Sequence, residues 1–189
     1  MNTVQEQKRV VPDDLLARQF KFTSKKIQMI ALLKPENEMA IKTKVLFICQ
    51  HNSGRSQMAE AFLNQIYGDH FKVESAGLEP AESINPLVVK VMEEVGIDLS
   101  GKKPQSVFEM FKQGKVFEHV VTVCHDSESK CPIFPGITRR WHWPFPDPAA
   151  VKGSDQEKLA AVRKIRDGIK AWLVNPPDNT INFNTLINR

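Results

Sequence analysis

Residues 44–56, KVLFICQHNSGRS, decide the fold of this chain. After its lysine the run is continuously apolar up to Cys49, which is typical of a strand buried on both faces of a parallel sheet. A short polar turn follows, and a helix is then predicted by apolar residues at four-residue spacing, which are Met58, Phe62 and Ile66. Gly68 is predicted to end that helix with a left-handed backbone conformation. The stretch therefore indicates a strand, a tight loop and a helix.

The rest of the chain repeats this alternation. Two further strands are predicted over Phe71–Ser75 and Glu118–Cys124. Three further helices are predicted by capping signals, namely Asn85-Pro86 with a stop at Gly96, Ser106 with Glu109, and Ser154 with Glu157. Strands and helices in this order predict a doubly wound α/β fold, with a mainly parallel four-stranded sheet and flanking helices.

The ends of the chain fall outside this pattern. We expect an N-terminal extension of unassigned role over residues 1–42, a catalytic domain over residues 43–175 and a loose polar tail over residues 176–189. The chain has no apolar run long enough to cross a bilayer and no apolar segment in its first residues, so the sequence predicts a cytoplasmic protein with no membrane partner.

The net charge of +4 is confined to one end of the chain. Residues 1–44 hold nine Lys and Arg against five Asp and Glu, whereas residues 45–189 hold seventeen of each class. A neutral main body with one basic end is a weak indication of nucleic-acid binding, and we expect no nucleic-acid partner.

The spacing Cys49-x5-Arg55 carries the predicted chemistry. A strand-to-helix loop can turn its backbone N–H groups inward and hold an anion at the positive end of the helix. Arg55 adds a bidentate donor for a tetrahedral oxyanion, and the same donors favour a thiolate at Cys49. We therefore predict an oxyanion-binding loop that consists of Gln50, His51, Asn52, Ser53, Gly54, Arg55 and Ser56. The alternative is that Cys49 is only a buried residue at the end of a strand.

The segment VLFICQHNSGRSQMAEAFL resembles the active-site segment of the low molecular weight tyrosine phosphatase superfamily, and more closely its arsenate reductase branch. The resemblance extends from about Lys44 to about Leu173. It implies that Cys49 is the nucleophile and that Asp147, which precedes Pro148, is the general acid that protonates the departing oxygen. Without the Cys49 loop, Asp147-Pro148 would be read as an ordinary turn.

Cys124 and Cys131 are separated by six residues, and Cys124 ends the third predicted strand. The pair resembles the redox pair of thioredoxin-coupled arsenate reductases. The resemblance implies that a disulfide passes from Cys49–Cys124 to Cys124–Cys131, where thioredoxin, or glutaredoxin with glutathione, reduces it. Zinc binding is disfavoured because the spacing is unfamiliar, whereas inert packing stays open for Cys124 and, less so, for Cys131 beside Lys130.

Two other functions remain open at this point. The first is a low molecular weight protein tyrosine phosphatase that acts through a Cys49 phosphocysteine. Against it, Ala149 and Ala150 follow the general acid, where such phosphatases usually carry aromatic residues. The second is a non-catalytic oxyanion sensor, which the complete set of Cys49, Arg55 and Asp147 disfavours.

No tightly bound cofactor is expected, and potassium is the one candidate ion. Certain relatives bind potassium near the loop, and Asn52, Glu60 and Ser75 fit that pattern, although Gln105 stands where an aspartate is expected. For Asn52 we also expect a role in holding the shape of the loop through hydrogen bonds to the backbone.

Overall fold

The structure of the chain is a computed structural model that describes residues 41–124 and 127–187. Within these residues, four parallel strands form one sheet in the order β2-β1-β3-β4. The strands are β1 (Thr43–Cys49), β2 (Phe71–Gly77), β3 (His119–Thr122) and β4 (Arg139–His142). The sheet confirms the predicted doubly wound α/β fold. The predicted extension over residues 1–42 lies, up to residue 40, outside the described residues.

Helices follow the strands in the expected alternation. They are α1 (Arg55–Tyr67), α2 (Pro86–Glu93), α3 (Val107–Lys112), α4 (Ser127–Lys130), α5 (Asp155–Val174) and α6 (Phe183–Leu186), with one 3-10 turn at Pro148–Ala150. None of the helices in the described part of the chain has the length and apolar character needed to cross a membrane.

The apolar run of β1 separates two hydrophobic cores. Val45, Phe47 and Cys49 belong to the larger core, on the side of α1 and α5. Leu46 and Ile48 belong to the smaller core, on the side of α3. Since side chains alternate along a strand, an uninterrupted apolar run is what a central strand between two helical layers requires.

The predicted caps are confirmed in most details. Asn85 accepts from the Leu87 N–H at 2.9 Å, and Gly96 stops the second helical segment with a φ of 77°. Ser154 and Glu157 form a complete capping box, whereas Ser106 accepts from the Glu109 N–H without a reciprocal bond. Gly68 follows the last residue of α1 but is right-handed, with a φ of −60°, so the expected left-handed stop is wrong.

The structure differs from the sequence prediction in two places. The sequence does not indicate the position of strand β4, because its residues are half-buried or exposed and form no apolar run. The tail predicted to be loose is packed: Phe183 is fully buried in the larger core and Ile181 is 2% exposed. Trp143 Nε1 donates to Thr180, and Tyr67 Oη donates to Asn184. Leu186 and Ile187, which are partly buried, pack against the same core.

Candidate active site

Cys49 lies at the carboxyl end of the central strand and is 2% exposed. Its Sγ lies 3.0 Å from Ser56 Oγ, and it accepts from the backbone N–H of Asn52 at 3.1 Å. Both partners belong to the predicted loop or to the first turn of α1. The reacting sulfur is thus held by one backbone amide and one hydroxyl group.

The carbonyl groups of the loop point away from the sulfur. Those of Cys49, Gln50, His51 and Ser53 accept, at 2.8–3.1 Å, from the N–H groups of Leu78, Glu79, Ala81 and Asn85. Because the carbonyl and N–H of one peptide point in opposite directions, the loop amides face the other way, as the Asn52 N–H does. This is the arrangement of an anion cradle.

Gly77 makes the close contact between β2 and the loop possible. A Cβ at this position would lie 2.9 Å from both the Asn52 nitrogen and the His51 carbonyl carbon. Any other residue would displace the loop backbone.

Asn52 has a left-handed backbone, with a φ of 49°, and is fully buried. Its Nδ2 donates to Ser56 Oγ and Ser75 Oγ, each at 2.8 Å. Its Oδ1 accepts from Gln57 Nε2 at 3.0 Å and from the Gln105 backbone N–H at 2.8 Å. Three of these four bonds join side chains and one reaches the backbone, so Asn52 holds the loop mainly through side chains rather than through the expected bonds to the backbone. One of them comes from the side chain of Gln57, which the sequence did not single out.

Arg55 and Asp147 meet over the loop. Arg55 is 7% exposed, its Nη1 donates to the Phe145 carbonyl at 3.1 Å, and its Nη2 lies 3.2 Å from Asp147 Oδ2. The other oxygen of Asp147 accepts from the Ala149 N–H at 3.0 Å, which caps the 3-10 turn. The carboxylate is 38% exposed, so solvent reaches it. The structure therefore brings the predicted acid to the predicted oxyanion-binding arginine.

A cavity of about 330 Å³ opens at this place. It is lined by Gln50, His51, Arg55, Cys124, Phe145, Pro146 and Asp147. Cys124 is 3% exposed and lies two residues beyond the end of β3, which is the neighbour of β1. Because the carboxyl ends of parallel strands share one edge of the sheet, the thiol of Cys124 comes to the same cavity as the oxyanion-binding loop.

Cys131 lies elsewhere than the sequence suggests. The sequence disfavours burial as inert packing for Cys131 beside Lys130, but the side chain is 6% exposed and belongs to the smaller core, with Phe117 and Phe134. Cys49 and Cys124 belong to the larger core, so the sheet separates them from Cys131. Burial raises the pKa of the Cys131 thiol to about 11, against a smaller lowering by Arg140. None of the three cysteines forms a disulfide with another described residue.

The residues predicted for potassium also come together. Ser75 Oγ donates to Glu60 Oε2 at 2.6 Å, and the ammonium of Lys102 lies 2.5 Å from Glu60 Oε1. Asn52 Oδ1 already accepts two hydrogen bonds, one of them from the Gln105 backbone. Among the described residues, no group of three or more His, Cys, Asp or Glu is arranged to hold a metal ion. The oxygens expected to bind potassium thus have protein donors, and the set fits the ion poorly.

Known proteins are similar to this chain in both sequence and fold. The family model of the low molecular weight phosphotyrosine protein phosphatases matches residues 44–180. An arsenate reductase from Bacillus subtilis (strain 168) is 43% identical over 125 residues, which are 66% of this chain and 88% of that protein. A solved arsenate reductase in the oxidized state is similar with a TM-score of 0.60 and 28% identity, over 70% of this chain and 95% of the other.

A low molecular weight protein tyrosine phosphatase from T. tengcongensis has the same fold. Its TM-score is 0.54 at 22% identity, and the match covers 69% of this chain and 94% of the other. This likeness concerns the architecture alone.

Proposed function

Because the chain belongs to the low molecular weight phosphotyrosine protein phosphatase family, and within it to the arsenate reductases, we propose that it reduces arsenate to arsenite through Cys49. The observation that carries the proposal is the position of Cys124, which lines the same cavity as Arg55 and Asp147. A phosphatase needs one thiol, because water completes its cycle. A reductase needs two electrons, and a second thiol at the cavity can supply them.

Arsenate binds in the loop as a small tetrahedral oxyanion. The inward amides and the guanidinium of Arg55 hold three of its oxygens, and the Cys49 thiolate attacks the arsenic. An As–S bond forms and one As–O bond breaks. Asp147 gives its proton to the departing oxygen, which leaves as water.

Reduction occurs in the next step. The Cys124 thiolate attacks the Cys49 sulfur, an S–S bond forms, and the electron pair of the As–S bond passes to arsenic. Arsenic changes from As(V) to As(III) and leaves as arsenite, while the two thiols become one disulfide. Electrons and atoms therefore balance without any bound cofactor.

The disulfide then moves to the surface. Cys131 attacks Cys124, which restores the Cys49 thiolate and leaves a Cys124–Cys131 disulfide for a dithiol donor of the thioredoxin type, or for glutaredoxin with glutathione. Since Cys131 is buried on the other face of the sheet, this step requires the chain between Cys124 and Cys131 to rearrange. The cycle also requires a reducing compartment, which supports a cytoplasmic location.

The decisive experiment maps the cysteines of Cys131→Ser after one exposure to arsenate. We expect one equivalent of arsenite and a Cys49–Cys124 disulfide, identified by mass spectrometry of the alkylated and digested protein. Wild type with thioredoxin, its reductase and NADPH should turn over many times, whereas the variant should stop after about one cycle.

A matched control separates reduction from phosphatase chemistry. Cys124→Ser should lose arsenite release while it keeps whatever aryl phosphate hydrolysis the wild type has, because the loop and Asp147 are intact. The proposal is wrong if Cys124→Ser reduces arsenate as fast as wild type. It is also wrong if wild type hydrolyses aryl phosphates far faster than it reduces arsenate.

A further inference from the structure

Glu60 is a buried carboxylate in the middle of α1, and among the described residues its close cationic partner is Lys102. Its side chain is 7% exposed, whereas that of Lys102 is 45% exposed and reaches in from the segment before α3. The distance of 2.5 Å between Nζ and Oε1 is that of a charge-assisted hydrogen bond. A carboxylate that is buried to this extent without such a partner would lower the free energy of unfolding.

The pair is connected to the reacting sulfur by an unbroken row of hydrogen bonds. Glu60 accepts from Ser75, and Ser75 accepts from Asn52. The same amide of Asn52 donates to Ser56 Oγ, which contacts Cys49 Sγ. The charge state of Glu60 therefore bears on the loop that must hold both a thiolate and an oxyanion.

We propose that Lys102 is a positioning residue whose ammonium supplies the counter-charge of Glu60, so that the oxyanion-binding loop works without a bound potassium ion. The negative charge of an unpaired Glu60 would repel negative charge in the loop, whether on the reacting sulfur or on an incoming anion. With Lys102 in place the pair is neutral. The oxygens of Glu60, Ser75 and Asn52 then form the scaffold of the loop rather than an ion site.

Alkylation of Cys49 tests this inference without arsenate. The rate of iodoacetamide labelling of the Cys49 peptide is measured by mass spectrometry at pH 7, in phosphate-free KCl or choline chloride of equal ionic strength. Wild type should label at the same rate in both salts. Lys102→Met should label roughly tenfold more slowly in choline chloride, as expected for one uncompensated charge in a partly buried site.

Two further variants distinguish charge from simple disruption. Lys103→Met removes the neighbouring exposed lysine and should label like wild type. The double variant Glu60→Gln/Lys102→Met removes both charges, keeps an acceptor for Ser75, and should recover most of the wild-type rate. Circular dichroism confirms that each variant is folded.

The inference is overturned if potassium accelerates labelling of the wild type several-fold over choline. It is equally overturned if Lys102→Met labels as fast as wild type, or if the double variant is as slow as the single one. It rests on the proposed function only in taking Cys49 as the nucleophile. Since no reduction is measured, its failure would leave the arsenate proposal standing.

Discussion

The guanidinium of Arg55 and the carboxylate of Asp147 form an ion pair across the mouth of the cavity, with 3.2 Å between Nη2 and Oδ2. One group comes from the first turn of α1, and the other from the turn after β4. An entering oxyanion must therefore share Arg55 with the residue that is proposed to protonate it.

Asp147→Asn should separate the role of Asp147 as a general acid from its role as the ionic partner of Arg55. The amide cannot donate a proton as an acid, so we expect the turnover number for arsenate to fall by about 10²- to 10⁴-fold. Affinity for phosphate should be unchanged or higher, because Arg55 no longer has a competing anion. Steady-state reduction assays and calorimetric titration with phosphate measure the two quantities. Weaker phosphate binding with normal turnover would contradict both assignments.

Asn52→Ala should destabilise the loop and the protein together. The change removes three buried hydrogen bonds and a fourth that is part-buried, and it leaves the Gln105 N–H and the Gln57 amide without their acceptor. We expect a loss of about 2–4 kcal/mol in the free energy of unfolding, measured by urea denaturation, and weaker phosphate binding.

Asn52→Gly is the matched control, because glycine adopts a φ of 49° without strain. If the side-chain bonds matter most, the glycine variant should be within about 1 kcal/mol of the alanine variant. A glycine variant as stable as wild type would show that backbone strain, and not hydrogen bonding, makes Asn52 important.

The sequence could predict the loop because its signals are local. The apolar run, the C-x5-R spacing and the following helix lie within a few residues, and the structure assembles Cys49, Ser56 and Arg55 accordingly. Lys102 could not be predicted in the same way, since it is 42 residues from Glu60 and meets it only in the folded chain. The burial of Cys131 could not be predicted, because the flanking Lys130 suggests exposure, whereas the folded chain packs Cys131 with Phe134 in the smaller core.

Phe183→Ala tests whether the C-terminal segment is part of the core. The ring is fully buried and lies 5.3 Å from Phe71, 6.1 Å from Trp143 and 6.4 Å from Phe47, measured between ring centroids. We expect a loss of about 3–5 kcal/mol in the free energy of unfolding. Phe108→Ala, at a position that is 43% exposed, should cost less than about 1 kcal/mol in the same urea titration. Equal, small losses would mean that the segment is not packed.

The burial of Cys131 should make the free energy of unfolding depend on pH in alkaline solution. Its pKa is raised from 9.0 to about 11 in the folded protein, so between these values the folded chain keeps a proton that the unfolded chain has lost. The contribution of the buried, protonated thiol to the free energy of unfolding is fully present below pH 9 and is lost as the pH rises through 11. Its size is about 3 kcal/mol, at about 1.4 kcal/mol for each unit of pKa.

Cys131→Ala removes this titration while other groups still titrate. Wild type should be the more stable protein at pH 7, and its advantage in urea denaturation should shrink by about 2 kcal/mol between pH 8 and pH 11. An advantage that stays constant over this range would contradict the raised pKa.

The same burial keeps Cys131 as an unreactive thiol in the resting protein. Attack on the Cys49–Cys124 disulfide therefore has to wait until the segment exposes the sulfur, and this step should accelerate as the pH rises.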